Sequence, residues 1–166
     1  MNSKSNLFLP ISVLVFRISA ILVLFSLSRL HFYFSNLDFF DNISFQEFTK
    51  ILQGGVRFDI VGILYLNLPF ILIYIFPGNH LQSKKFRVIT DVLFFVSNAV
   101  GLLANCIDGV YYQFNLRLSI FSSLVELKDI NNLGGLLLSF FTRYWSVWVV
   151  WIFFMLGIWL IIKYIK

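Results

Sequence analysis

The stretch "LQGGVRFDIVGILYLNLPFILIYIFP", residues 52–77, places two charged residues directly against a long apolar run. Arg57 and Asp59 precede the run, and Asn67 and Pro69 interrupt it. A charge at the edge of hydrocarbon costs free energy unless it is solvated, paired or held at the membrane surface. The stretch therefore predicts a membrane-spanning helix, with the charged pair either as an anchor at the membrane surface or as a functional site.

The composition of the whole chain supports this interpretation. Of its 166 residues, 59% are hydrophobic and 13% are charged, and the mean hydropathy is +0.85. A soluble domain is about half apolar and about a quarter charged, so this composition predicts an integral membrane protein. The net charge of +5 comes from basic residues that flank apolar segments, which indicates membrane orientation rather than nucleic-acid binding. The single cysteine, Cys106, excludes an intrachain disulfide.

A helix that crosses a membrane needs about 20 mostly apolar residues. The predicted fold is therefore an all-α integral membrane protein, a single transmembrane domain over residues 1–166. Its four predicted spans are residues 7–30, 60–76, 88–107 and 145–162.

Two intervening segments predict short amphipathic helices on the outer surface of the membrane. Residues 35–56 contain apolar positions at helical spacing, with Ser44 as a predicted N-cap and Gly54 and Gly55 as a predicted C-terminal cap. Residues 115–144 predict one or two further helices of this kind.

Charges and aromatic residues predict the orientation. The short segment "GNHLQSKKFR", residues 78–87, carries only basic charges, and an excess of Lys and Arg in short loops marks the cytoplasmic side. With four spans, both termini are then cytoplasmic. The aromatic groups "HFYF" (31–34), "YYQF" (111–114) and "FFTRYW" (140–145) all fall at the predicted outer interface, where Tyr and Trp are enriched.

The third predicted span carries a polar stripe. Asp91, Asn98 and Asn105 are seven residues apart, and Asp108 falls on the same face. Lipid offers such groups no hydrogen bonds, so the stripe is expected to face other helices. It either holds helices together or lines a cavity for a lipid headgroup or an ion. Arg17, in the first span, is expected to extend its side chain to the cytoplasmic headgroups.

The sequence contains no Gly-rich phosphate loop, no Ser-His-Asp spacing and no HExxH motif. We therefore predict no catalytic, cofactor-binding or metal-binding residue in this chain.

Three stretches, in this order, resemble the membrane domain of bacterial lipoteichoic acid synthase-like proteins, in the form found in Bacteroidetes. They are "GGVRFDIVGILYLNLPF" (54–70), "LLANCIDGVYYQFNLR" (102–117) and "LVELKDINNLGGLLLSFFTRYW" (124–145). These proteins belong to the sulfatase/alkaline phosphatase superfamily. The resemblance extends from about Leu22 onwards, and the order and spacing of the stretches carry it.

The resemblance implies a location in the bacterial inner membrane. It also implies a five-helix membrane domain followed by an extracytoplasmic catalytic domain. That domain uses a threonine nucleophile and a divalent metal, typically manganese, to transfer phosphoglycerol or a related headgroup, or to hydrolyse an ester. This chain ends after the fourth predicted span. It is therefore expected to be a fragment or truncated product, inactive alone, with no catalytic or metal residue carried over.

A polar cluster is predicted at the outer interface, as a site for anionic or glycerophospholipid headgroups or as a set of anchors and salt bridges between helices. We expect Arg57 or Arg117 to lie within salt-bridge reach of Asp59 or Asp108, and both arginines are candidate phosphate contacts. The alternative function is a stand-alone, non-enzymatic membrane protein, such as an assembly or transporter subunit. The predicted cluster comprises Arg57, Asp59, Asn105, Asp108, Tyr111, Tyr112 and Arg117.

Overall fold

The regular structure of the protein is helical throughout the described residues. The computed structural model describes residues 5–40, 43–75, 83–115 and 144–165. A short 3-10 turn, Leu37–Phe39, follows the first helix. The α-helices are α1 (Ser5–Ser35), α2 (Phe45–Leu66), α3 (Leu68–Ile75), α4 (Lys84–Asn115) and α5 (Trp145–Tyr164). The all-α prediction is therefore confirmed for this part of the chain.

Three of these helices are long and apolar enough to cross a membrane. Their apolar stretches are Ile11–Ser35, Lys84–Tyr112 and Trp145–Tyr164. Helices α2 and α3 pass the same test only together, and they are bent by 66° at the break between them. The fold is thus compatible with a membrane protein that has three spanning helices, or four if the bent pair forms one span.

Helix α1 packs against each of the other four helices. Its buried positions, Arg17, Ile21, Phe25 and Ser28, recur every three or four residues, so they share one face of the helix. Along this face the residue numbers of α1 and α4 increase together, since residue 17 meets residue 91 and residue 28 meets residue 105. Helices α1 and α4 are therefore parallel.

Helices α2 and α5 run in the opposite direction. Arg29 of α1 meets Asp59 of α2, whereas the later residue Tyr33 meets the earlier residue Phe48. Leu24 packs on Gly157 of α5, whereas residue 17 reaches residue 165. We call the end of the bundle near residues 17, 91 and 165 the Arg17 end, and the end near residues 29, 36 and 112 the Arg29 end.

The start of α2 confirms the predicted N-cap. The Ser44 hydroxyl accepts a hydrogen bond from the Glu47 backbone N–H at 3.3 Å, and the Ser44 backbone N–H donates to Glu47 Oε2 at 2.9 Å. This reciprocal arrangement is a capping box, which satisfies two of the backbone donors that a helix start leaves open. The helix therefore begins where the sequence predicts.

The predicted helix end at Gly54 and Gly55 is wrong, because α2 continues through both glycines to Leu66. Gly55 instead leaves room for the side chain of Arg29 from α1. A Cβ atom on Gly55 would lie 2.5 Å from Nε of Arg29, closer than van der Waals contact permits. One helix therefore covers both the predicted surface helix and the start of the predicted second span.

The break between α2 and α3 lies at Asn67. Pro69 has no backbone N–H and so cannot continue the hydrogen-bond ladder. The Asn67 side-chain amide donates to the Ile63 carbonyl at 3.0 Å, and the Asn67 carbonyl accepts from the Ile71 N–H at 2.8 Å. The Asn67 side chain thus adds a hydrogen bond to the helix backbone at the point where Pro69 interrupts the backbone hydrogen bonds. The predicted surface helices of residues 115–144 fall almost entirely outside the described residues.

Candidate functional site

The polar stripe of α4 faces other helices, as the sequence predicts. Asp91, Asn98 and Asn105 each contact a polar side chain on a neighbouring helix. Seven residues correspond to about 10 Å along a helix, so the three contacts form successive levels through the bundle. Their partners are Arg17, Asn67 and Ser28, respectively.

At the Arg17 end, a buried arginine joins three helices. Arg17 Nη1 donates to Asp91 Oδ1 at 2.6 Å, and Arg17 Nε donates to the Ile165 carbonyl at the end of α5 at 3.0 Å. The rings of Phe70 and Phe94 lie 5.9 and 5.7 Å from the guanidinium carbon, within the range of cation–π attraction. The expectation that Arg17 extends to headgroups is wrong: its side chain is 2% exposed. A carboxylate, a carbonyl and two rings replace the water that it would otherwise need.

Two amides form the middle level. Asn67 Nδ2 donates to Asn98 Oδ1 at 2.9 Å, and Asn98 Nδ2 donates back to Asn67 Oδ1 at 2.8 Å. Both residues are 0% exposed. Asn98 lies midway along the apolar stretch Lys84–Tyr112, so this pair places neutral hydrogen-bonding groups at the centre of the bundle. Its role is to hold α4 against the break between α2 and α3.

Near the Arg29 end, α1 and α4 are joined by weaker polar contacts. Asn105 Nδ2 donates to the Ser28 hydroxyl at 2.8 Å. Further along, Asn36 Nδ2 donates to the Gly109 carbonyl at 3.1 Å and to the Phe32 carbonyl at 2.8 Å. These contacts fix the register between the two parallel helices.

The predicted pairing of Arg57 with Asp59 or Asp108 is wrong. Asp59 is 7% exposed, and it accepts from Arg29 Nη2 at 2.6 Å and from Arg29 Nε at 3.2 Å. Residues two positions apart on an α-helix point about 200° away from each other. Asp59 therefore faces α1, while Arg57 is exposed on the opposite side of α2. Among the described residues, Arg57 forms no ion pair. The other proposed arginine, Arg117, lies outside the described residues, so its pairing stays a prediction.

The aromatic members of the predicted cluster lie at the Arg29 end. The Tyr112 ring stacks on Phe40 at 5.8 Å between centroids and meets Phe32 and Phe39 edge-on at 5.2 and 5.9 Å. This contact brings the stretches "HFYF" and "YYQF" together. Asp108 and Tyr111 are half-buried in the same region, and neither is without a partner.

Sequence reasoning missed the two arginines of α1 as partners of Asp59 and Asp91. A signal was available, because Arg17, Ile21, Phe25 and Arg29 are each four residues apart and therefore follow one helix face. A face that includes large apolar residues at this spacing is expected to contact other helices. The position of Arg17 on it indicates burial rather than extension to headgroups.

The site is thus a set of polar contacts that join helices. No group of three metal-ligating side chains lies within the described ranges. The carboxylates of Asp59 and Asp91 are each engaged by an arginine. No family model, curated protein or solved structure matches this chain. The class that fold and site define is an all-helical protein whose long apolar helices are held together by ion pairs and buried amides.

Proposed function

We propose that the chain is the membrane-anchoring domain of a lipoteichoic acid synthase-like enzyme of the sulfatase superfamily, located in a bacterial inner membrane. One observation carries this proposal. Residues from the first two resembling stretches contact α1: Gly55 and Asp59 of the first both meet Arg29, and Asn105 of the second meets Ser28. The motif residues thus have a physical role that a membrane domain of this kind would need.

In this proposal the chain crosses the membrane four times, with the bent pair α2–α3 as the second span. Asn67, at the bend, pairs with Asn98 at the middle of the apolar part of α4, a position that suits the middle of a span. The alternating directions of α1, α2–α3, α4 and α5 support the same topology.

The Arg17 end faces the cytoplasm in this arrangement. Lys84, Lys85 and Arg87 stand at the start of α4, and Lys163 stands in the last turn of α5. Because α4 and α5 run in opposite directions, these four basic residues share one end of the bundle. A positive end of this kind is typical of the cytoplasmic side, which supports a cytoplasmic location for both termini.

The domain acts as an anchor and a platform, not as a catalyst. Two ion pairs and an amide pair connect helices that are distant in sequence, and they would keep a linked catalytic domain at a fixed position beside its lipid substrate. A divalent metal would belong to that catalytic domain.

The second candidate function is a stand-alone, non-enzymatic membrane protein, such as an assembly or transporter subunit. The mutual pairing of the buried polar groups favours it equally, because such groups need no additional domain. The two candidates differ in what is encoded downstream of residue 166.

The deciding experiment reads the DNA beyond this codon and assays membranes from cells that express the complete locus. A sulfatase-like domain in the same or a shifted frame, with manganese-dependent phosphoglycerol transfer, supports the anchor. Unrelated sequence after a stop codon overturns it in favour of the stand-alone protein. Fusions of a fluorescent protein or alkaline phosphatase after residue 166 test the topology, and fluorescence without phosphatase activity is expected for a cytoplasmic terminus.

A further inference from the structure

We propose that Lys50, Gly54 and Arg57, on the outward face of α2, form a binding site for the phosphate of an anionic glycerophospholipid. The inference rests on the membrane insertion in the proposed function, but it does not require the catalytic domain. In this inference Arg57 contacts a lipid phosphate, not Asp59 or Asp108 as the sequence predicted.

The three residues share one face of α2. They are four and three residues apart, the spacing that aligns side chains along a helix. Lys50 and Arg57 are exposed, whereas Gly55 and Asp59 on the opposite face are buried against α1. The two cations therefore point away from the bundle, toward whatever surrounds it.

Neither cation has a protein counterion in the described part of the chain. Asp59 is engaged by Arg29 on the other side of α2. Glu47 lies one turn before Lys50, yet its carboxylate accepts from the Ser44 backbone N–H at 2.9 Å and from the Ser44 hydroxyl at 2.8 Å. Two cations near hydrocarbon that form no salt bridge with a described residue favour an anion from outside the protein.

The space between the cations is open. Nothing lies within 4 Å of the position that a Cβ atom on Gly54 would occupy. The backbones of Lys50 and Arg57 are about 10 Å apart along the helix, and their long side chains can both extend over Gly54. A guanidinium binds phosphate oxygens in bidentate fashion and an ammonium acts as a point charge. One phosphate can therefore bind the Arg57 guanidinium and the Lys50 ammonium together.

Contacts with α1 place the side chains of Lys50 and Arg57 within reach of lipid headgroups. Residue 23 is the middle of the stretch Ile11–Ser35, so Arg29 lies about 9 Å and Tyr33 about 15 Å from the membrane centre. Asp59 meets Arg29 and Phe48 meets Tyr33, so the part of α2 that carries both cations lies between these depths. The hydrocarbon edge is about 15 Å from the centre, and side chains of this length reach beyond it.

The surface beside the cations suits acyl chains, which indicates a lipid rather than free phosphate. Phe58 is 78% exposed and Tyr65 is 76% exposed, and Val61 and Leu64 are exposed between them. This apolar surface continues directly from Arg57 toward the membrane centre. A lipid with its phosphate over Gly54 can lay its chains along it.

The test titrates the purified full chain, in neutral micelles, with phosphatidylglycerol or phosphatidylcholine and counts bound lipids by native mass spectrometry. The wild type is expected to prefer phosphatidylglycerol. The affinity of the Lys50→Gln/Arg57→Gln double variant for phosphatidylglycerol is expected to be about 10- to 30-fold lower than that of the wild type. Each cation near a membrane surface contributes about 1 kcal/mol. The matched control, Lys84→Gln/Lys85→Gln, removes the same charge from exposed positions at the Arg17 end and is expected to change the affinity less than twofold.

A third variant separates a site from general electrostatic attraction. Gly54→Leu keeps both charges and fills space that is open in the structure, so the fold is retained, which circular dichroism checks. Loss of phosphatidylglycerol preference in this variant supports a shared site over Gly54. The proposal is overturned by retained preference in Gly54→Leu, by equal losses in the two double variants, by a wild type without preference, or by full competition from inorganic phosphate. Extraction of the wild-type chain from membranes by alkaline carbonate would instead contradict the proposed function.

Discussion

Two arginines on the same face of α1 lie in different environments. Arg17 is 2% exposed and Arg29 is 35% exposed, although each pairs with an aspartate at 2.6 Å. The pair at Arg17 joins three helices and lies against two aromatic rings. The pair at Arg29 joins two helices and lies on the bare backbone of Gly55.

The difference teaches that an equal ion-pair distance does not mean an equal energetic role. Asp91 is itself 25% exposed, but its removal leaves the buried Arg17 unmatched away from water, which costs several kcal/mol. Removal of Asp59 leaves the partly exposed Arg29, whose charge solvent or lipid headgroups can compensate. Loss of Asp91 is therefore expected to cost the bundle more stability than loss of Asp59.

The largest effect is expected from Asp91→Asn compared with Asp59→Asn. Asp91→Asn leaves the buried Arg17 without a counterion and should lower the free energy of unfolding by about 3–5 kcal/mol. Asp59→Asn should cost about 1–2 kcal/mol, because Arg29 is partly exposed. Unfolding by SDS titration in mixed micelles measures both, and equal losses would contradict the comparison.

A control replaces both partners at the Arg17 end. The double variant Arg17→Met/Asp91→Leu removes both charges, so no uncompensated ion remains, and it should be more stable than Asp91→Asn alone. A double variant that is less stable than the single one would indicate that Arg17 acts mainly through the Ile165 carbonyl or the rings.

The next effect compares two adjacent glycines and sharpens the picture of the Arg29 end. Gly55→Ala places a methyl group 2.5 Å from Arg29 Nε and should cost about 1–3 kcal/mol, because the guanidinium must shift away from its seat. Gly54→Ala meets nothing within 4 Å and should stabilise α2 by up to about 1 kcal/mol. The same SDS titration measures both variants. An unchanged free energy of unfolding in Gly55→Ala would show that the Arg29 pair is loosely held.

These effects also show what the sequence could predict. The helical class, the start of α2 at Ser44 and the inward direction of the stripe with Asn98 all follow from local rules of composition, capping and periodicity. Each depends on residues within a few turns of one another. Local physics was therefore sufficient for the elements and for the faces they present.

The partners of the acids could not be predicted in the same way. Arg57 is two residues from Asp59, and nearness in sequence suggested a pair that helix geometry forbids. Which arginine reaches Asp59 depends on how α1 and α2 pack together, and Gly55 leaves room for the Arg29 side chain beside Asp59. That glycine resembles a helix cap in sequence, because a cap and a close approach both need a missing side chain.

A smaller effect is expected at the level between the two ion pairs. Asn67→Leu removes the reciprocal bonds to Asn98 and one bond to the Ile63 carbonyl. Single polar contacts between membrane helices are worth about 0.6–1.7 kcal/mol, so a loss in this range is expected in the SDS titration. The double variant Asn67→Leu/Asn98→Leu should recover part of it, because no amide is then left with an unmatched partner.

The smallest effect is expected at the exposed start of α2. Ser44→Ala removes the hydroxyl that accepts from the Glu47 N–H, and an N-cap loss of this kind costs about 0.5–1 kcal/mol. Because this turn is exposed and distant from Arg17, the first amides of α2 should exchange faster with deuterium while those around Asp91 remain protected. Thr49→Val is the matched control, since Thr49 bonds only to the Phe45 carbonyl within its own helix and does not touch the cap. Faster exchange at both ends in Ser44→Ala would mean that the two ends unfold as one unit, and the different environments of Arg17 and Arg29 would then have no consequence for local stability.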